Sequence, residues 1–145
     1  MSKDNVLGWR EWVDLPDLGL HLIKAKVDTG ARSSCLHAFE LEVFQRDGID
    51  WVRFKVHPKQ GNEQEIAECE AEILDRRSVR DSGGHSEERV VILTTLRVGE
   101  WVDKIEMTLT SRDNMRFRML MGRTSISKAG FVVDPSHSYV QNKVN

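Results

Sequence analysis

Leu20-His21-Leu22-Ile23-Lys24-Ala25-Lys26 runs directly into Val27-Asp28-Thr29-Gly30-Ala31. An apolar run that ends in an acid followed by Thr-Gly places a carboxylate at the mouth of a tight turn. Glycine reaches backbone angles closed to other residues and suits such a turn. The threonine hydroxyl can bond neighbouring backbone and stiffen the loop. Taken alone, the tripeptide reads equally well as an ordinary turn. A second stretch gives it context. Phe117-Arg118-Met119-Leu120-Met121 is an apolar strand, followed by Gly122-Arg123 and a helix-like segment from Thr124 to Ala129, with Gly130 as its C-cap.

Outward from these two anchors the chain reads as short strands separated by turn chemistry. Leu7 to Val13 is strand-like with an ambiguous period, and Leu15-Pro16-Asp17-Leu18-Gly19 is a turn. Leu36 to Phe44 is expected to form one strand, closed by Arg46-Asp47-Gly48. Val52, Phe54 and Val56 share one face of a cleanly alternating run, as do Ile105, Met107 and Leu109. Ala67 to Ile73 alternates small or apolar residues with Glu68, Glu70 and Glu72, a period of two. The acid row could blunt an exposed strand against edge pairing, but the preferred reading is simply a solvated face. Arg76-Arg77-Ser78-Val79-Arg80-Asp81-Ser82-Gly83-Gly84-His85 lies between two strand-like runs and has the signature of a long hairpin with a mobile tip. Leu96 to Val102 forms a tight hairpin, and Phe131-Val132-Val133 a last strand. With one short helix and no repeat or linker, this pattern predicts an all-β, closed barrel-like domain over residues 7–135. Residues 1–6 and 136–145 are expected to be loose ends.

At 145 residues the chain is long enough to bury a core in one domain. Its 21 basic and 23 acidic residues, net charge -2, do not describe a nucleic-acid binder. No apolar run approaches the ~20 residues that span a bilayer, and residues 1–5 lack a signal-peptide core, so the expected compartment is the cytoplasm. There Cys35 and Cys69 are expected to be reduced. Cys35 lies close after Asp28, but no Cys-His spacing supports it as a nucleophile. His21, His37, His57, His85 and His137 are scattered, with no His-Glu-x-x-His pair. His21 and His37 bracket the Asp28 loop, which leaves a spatially assembled zinc site as a lesser reading. No Gly-rich Lys-Ser/Thr loop supports ATP binding, and no cofactor is expected.

Asp-Thr-Gly-Ala after a strand, with apolar residues and Gly-Arg later, resembles the retropepsin family of aspartic peptidases. Lys26-Val27-Asp28-Thr29-Gly30-Ala31-Arg32-Ser33-Ser34 with Met121-Gly122-Arg123 is more closely similar to its RimB-type branch. That branch was long labelled an ATP-dependent zinc protease and is associated with the RimK glutamate ligase. The resemblance covers the chain from about Gly8 to Pro135 and implies the half-lobe barrel that the strand pattern also predicts. It implies Asp28 as the catalytic acid, with Thr29 and Gly30 fixing its loop, Ala31 keeping the site narrow, and Gly122 and Arg123 as the structural motif beneath. A lone carboxylate of ordinary pKa, near ~4, hydrolyses peptides poorly at neutral pH. Two held about 3 Å apart cannot both ionise and share a proton. One Asp-Thr-Gly per chain therefore implies a homodimer in which Asp28 faces its mate.

The same resemblance makes the 76–88 hairpin, with Gly83 and Gly84 at its tip, a flap over bound peptide. The plain alternative is a surface loop. Arg32 stands where viral retropepsins carry an acid that pairs with the Gly-Arg arginine, so Arg123 lacks that partner. Arg32, Arg76, Arg77 and Arg80 would give the cleft a basic lining suited to an acidic peptide. Alternatively these arginines pair with Asp75, Asp81, Glu87 and Glu88. The expected function is hydrolysis of acidic, poly-glutamate-type tails, such as those a RimK-type ligase adds to a ribosomal protein. The alternative is a non-catalytic barrel that binds acidic peptides or partner proteins.

Overall fold

The computed structural model describes residues 5–59, 62, 64–80, 83–111 and 117–141. The strands are β1 (Val6–Leu7), β2 (Arg10–Leu15), β3 (Leu20–Asp28), β4 (Ser34–His37), β5 (Phe39–Arg46), β6 (Ile49–Val56), β7 (Ala67–Arg80), β8 (Ser86–Val98), β9 (Trp101–Thr110), β10 (Met119–Gly122) and β11 (Val132–Val133). Helix α1 (Arg123–Ala129) ends on Gly130, whose left-handed backbone caps it. The turn after β2 is a 3-10 helix, Pro16–Leu18.

Six strands close on themselves in the order β2-β3-β10-β4-β9-β8, with Asp14 of β2 facing Arg97 of β8 at the seam. β7, β6 and β5 continue the sheet outward from the long β8, and β1 pairs β11 separately. The all-β closed barrel with one short helix is thus present as expected. Alternation explains the core. Val52, Phe54 and Val56 are fully buried, as is Met107, and Ile105 and Leu109 nearly so. These faces share one hydrophobic core with Leu15, Ile23, Leu36, Ile92, Leu96 and Met119.

Three expectations change. The single strand expected from Leu36 to Phe44 is two. Ala38, fully buried, turns the chain out of the barrel, with its N–H on the carbonyl of Thr110 (2.8 Å). β4 stays among β9 and β10 while β5 leaves to pair with β6. Secondly, the glutamate row does not guard an edge, because β7 lies between β6 and β8. Glu70 receives Arg53 (3.0 Å) from the neighbouring β6 and Arg46 (3.3 Å) from β5 beyond it, and Arg53 first, then Arg46, holds its carboxyl below the usual range. Thirdly, residues 136–141 pack along β2. Trp9 and Tyr139 donate backbone N–H groups to His137 and Arg10 respectively (both 2.9 Å), and Tyr139 stacks on Trp12 at 5.2 Å. Gly8 permits this approach, since a Cβ there would lie 2.4 Å from the carbonyl oxygen of His137. At the other end Val6 already belongs to the β1–β11 pair. Residues 1–4 and 142–145 lie outside the described residues.

Cys35 and Cys69 are both buried, and neither forms a disulfide among the described residues. Burial pushes the Cys69 thiol up to about 11. Iodoacetamide at pH 8 is therefore expected to spare Cys69 in the folded protein and modify it after unfolding in urea, as peptide mass mapping would read. Rapid modification under native conditions would contradict its placement against the carbonyl of Leu18.

Candidate functional site

The Asp28 loop is held by a local crossing of strands. β10 lies between β3 and β4, parallel to the first with Gly122 beside Asp28, and antiparallel to the second with Leu120 beside Cys35. The loop from Thr29 to Ser33 must therefore pass over the end of β10. Arg123 and Thr124, the first residues of α1, donate backbone N–H groups to the carbonyls of Ala31 (2.7 Å) and Arg32 (3.0 Å). Thr124 adds its hydroxyl to the Arg32 carbonyl (2.9 Å), and Arg123 Nη1 reaches the Thr29 carbonyl (3.2 Å). Arg123 thus replaces the missing acidic partner with loop backbone. Behind it, Ser34 Oγ accepts the Gly122 N–H (3.0 Å) and bonds Ser125 Oγ (2.7 Å), both in the interior.

Gly122 is required by space. A Cβ there would sit 2.4 Å from the carbonyl carbon of Ser33 and 2.8 Å from the nitrogen of Ser34. Backbone cannot swing aside as a side chain can. Gly122→Ala is expected to cost about 3 kcal/mol of stability, the upper range for overpacking. A denaturant midpoint unchanged from wild type would refute that packing.

Asp28 is half-buried, and its Oδ1 accepts the N–H of Gly30 (3.0 Å). That bond fixes the carboxylate against its own loop. The reason for glycine at 30 differs from the expected one. Left-handed backbone occurs at Gly19, Gly48, Gly84, Gly99 and Gly130, not at Gly30. At 30 a Cβ would instead crowd Asp28 Oδ1 at 3.3 Å. Thr29 is exposed, and its hydroxyl makes no hydrogen bond among the described residues.

The residues after Asp28 open into a cleft of about 960 Å³. One wall is the loop Gly30, Ala31, Arg32 and Ser33 with Arg123, Thr124, Ser125 and Lys128 of α1. The other is Arg77 to Arg80 of β7 with Arg89 and Leu93 of β8. Cys35, Leu120, Lys104, Ile105, Glu106 and Thr108 complete it. Seven lining residues are basic (Arg32, Arg77, Arg80, Arg89, Lys104, Arg123 and Lys128) and one, Glu106, is acidic. In a chain of net charge -2 this concentrates positive potential at one concavity.

The structure brings together Gly30, Ala31, Arg32, Arg77, Arg80 and Arg123 around that cleft, with Asp28 and Thr29 at the head of its loop. Asp28, Thr29, Arg76, Gly83, Gly84 and the buried Gly122 are not in its lining. Arg76 and Arg77 are successive strand residues and point to opposite faces of β7. Gly83 and Gly84 are exposed at the hairpin turn, while Asp81 and Ser82 fall outside the described residues. The arginines divide into two kinds. Arg77 is tied to Asp75 (2.8 Å) and Glu106 (2.6 Å), partly the pairing that the sequence left open. Arg32 and Arg80 are exposed and make no ion pair among the described residues. Arg89, Lys104 and Lys128 were not legible beforehand. They come from strands and a helix whose cleft-facing side is set only when the barrel closes.

Among the described residues no three His, Cys, Asp or Glu side chains gather into a metal-holding group. His21 Nδ1 lies 2.7 Å from Asp14 on the outer surface, and His37 is buried in β4. No helix among the described residues is long and apolar enough to cross a membrane.

A closed barrel with an acid at the end of one strand, its loop pinned by a Gly-Arg turn from a crossing strand, is the half-lobe of a retropepsin-like acid protease. A family profile described as "RimB-like: Retropepsin-like aspartic endopeptidase RimB" matches residues 6–144. The chain belongs to that family. It is also 43% identical over 134 residues to a protein of Shewanella pealeana named probable alpha-L-glutamate ligase, covering 92% of this chain. A protein of the same name from Parasynechococcus marenigrum is 44% identical over 139 residues, covering 96%. The chain spans only 29% and 30% of the length of these two relatives. Among solved structures, a Legionella pneumophila protein of unknown function superposes with a TM-score of 0.78 at 28% identity, covering 94% of this chain and 97% of that one.

Proposed function

We propose that this chain is an aspartic endopeptidase that cuts acidic, glutamate-rich peptide tails, with Asp28 of two copies forming the catalytic pair. The observation that carries the reading is Asp28 at the head of a loop that opens directly into a basic cleft. In the dimer one Asp28 is ionised and the other protonated, because adjacent carboxylates cannot both carry charge. The ionised carboxylate takes a proton from water as the water oxygen attacks the peptide carbonyl carbon. The protonated one donates to the carbonyl oxygen. Collapse of the tetrahedral intermediate breaks the C–N bond; the leaving nitrogen takes the proton held by the first carboxyl, and a hydroxyl of the intermediate returns its proton to the second, which restores the starting pair. Gly30 N–H holds each carboxylate in place through this exchange. The hairpin end of β7 and β8 is the flap that covers bound peptide and excludes water.

Two observations favour glutamate-rich substrates. The cleft carries the basic excess described above, and arginine matches carboxylates in a fork geometry. Relatives named probable alpha-L-glutamate ligases contain a stretch similar to this chain, which fits an enzyme that trims what such a ligase adds, as on the tail of a ribosomal protein. A second reading, a non-catalytic barrel that binds acidic peptides, draws on the same basic lining. Incubation with a glutamate-tailed ribosomal peptide, followed by mass analysis, separates the two. Shortened products from wild type and none from Asp28→Asn support the peptidase. Saturable binding with no mass change by either protein supports the binding module instead.

A further inference from the structure

Arg89 on β8 was chosen by no motif, yet it is the most enclosed cation of the cleft. Its side chain is only 11% exposed, against 41% for Arg77, 57% for Lys104 and 49% for Lys128. Burying a guanidinium is costly unless each of its five N–H donors finds an acceptor. Here Nε is satisfied by Glu87 Oε2 at 3.1 Å. Nη1 reaches only Cys35 Sγ, a weak acceptor, and the Thr108 hydroxyl, each at 3.5 Å, the outer limit for a bond to oxygen. Nη2 has no partner among the described residues. Glu87 does not complete the set, because its two oxygens are shared with the Thr110 hydroxyl at 3.2 Å. The Nη edge of Arg89 is therefore a prepared, half-used fork on the cleft wall.

From this geometry we infer that Arg89 is a specificity-determining residue, whose Nη1–Nη2 edge receives one side-chain carboxylate of a bound acidic peptide. The inference rests on the reading of the cleft as a peptide site. A carboxylate there would meet two parallel N–H donors, the arrangement in which guanidinium and carboxylate bind most strongly. Glu87 holds Nε from the other side and fixes the plane of the fork, so little side-chain freedom is lost on binding. Exposed Arg32 and Arg80 attract the same peptide at longer range but discriminate weakly, since ion pairs in contact with water contribute little. Glutamine in place of the bound glutamate would bring an NH2 group against an N–H donor and leave the fork unsatisfied.

The test is binding, measured by fluorescence anisotropy of two labelled peptides on the full chain carrying Asp28→Asn. One peptide is glutamate-rich, and the other has glutamine at every glutamate position. Charge-assisted bonds of this kind should favour the glutamate peptide at least ~10-fold. Adding Arg89→Gln should weaken the glutamate peptide and collapse that ratio toward one, with little change in glutamine-peptide affinity. Arg89→Lys keeps the charge without the fork and should restore only part of it. Arg80→Gln should lower the glutamate peptide's affinity modestly, leave the glutamine peptide's unchanged and so keep most of the ratio. If Arg89→Gln unfolds the chain, Arg89→Lys and the two wild-type peptide affinities still decide the matter. An unchanged ratio in a folded Arg89 variant, or no preference between the peptides in the parent, overturns the inference. Because the readout is binding, discrimination without any cleavage by wild type would support Arg89 while sinking the peptidase reading.

Discussion

Asp28→Asn should reduce cleavage of a glutamate-tailed peptide by on the order of 10⁴-fold while leaving the fold and thermal transition in place. The substitution keeps shape, and its amide oxygen can still accept the N–H of Gly30 that now bonds Oδ1. What it removes is the only group at the head of the loop that can take a proton from water. Binding should survive, because the basic residues that line the cleft are separate from Asp28. Steady-state rates with product masses, beside a melting curve, check both halves. A variant that retains more than a few per cent of wild-type rate would place the chemistry elsewhere. Chelators should leave the wild-type rate unchanged, and its loss on chelation would shift the case toward a metal-dependent peptidase.

Glu11→Ala should have the largest effect on stability, about 4 kcal/mol, from leaving several buried N–H donors without an acceptor. Glu11 is fully buried, yet its carboxylate makes no ion pair among the described residues. It accepts instead from the backbone of Gly8 (2.6 Å), Val140 (2.9 Å) and Gln141 (3.0 Å). One side chain thus ties the bend between β1 and β2 to the C-terminal segment along β2. Without it, those donors and the Tyr139–Trp12 stack lose their anchor. For a domain of this size the loss should lower the melting temperature by roughly 10 °C or more. Glu11→Gln keeps one acceptor oxygen and turns a donor toward the third N–H, so its effect should be intermediate. A drop of only a degree or two for Glu11→Ala would mean that residues 136–141 are not held as described.

Glu11 also marks the limit of what the sequence discloses. Asp28-Thr29-Gly30 with Gly122-Arg123 is local chemistry, and it located the loop and the crossing strand. The alternation of Val52, Phe54 and Val56, and of Ile105, Met107 and Leu109, is also local, and it identified core faces correctly. Nothing near Glu11 in sequence shows that its acceptors serve residues more than a hundred positions away. Arg89 is hidden for the same reason, since its neighbours Cys35 and Thr108 are assembled by strand order rather than by spacing. The acid row on β7 is a solvated face, with Glu68 and Glu72 exposed, but the strand's place in the sheet was hidden because an alternating strand looks alike at an edge and between two neighbours. Only the register of β6 against β7 reveals that Arg53 faces Glu70. Gly30 shows a subtler gap, in which the turn was legible but its backbone is not left-handed, and a Cβ there would meet only the Asp28 carboxylate at 3.3 Å.

The central claim is that catalysis needs Asp28 from two copies of the chain, and subunit mixing tests it most directly. A fixed amount of wild type is exchanged with increasing Asp28→Asn protein at concentrations that keep every chain dimeric, and cleavage of the glutamate-tailed peptide is timed. If each site is shared between copies, random pairing should roughly halve the activity in an equimolar mixture and cut it to about one quarter with a threefold excess of the variant. Activity that stays constant at all ratios would mean that each chain works alone, and would contradict the shared pair of acids.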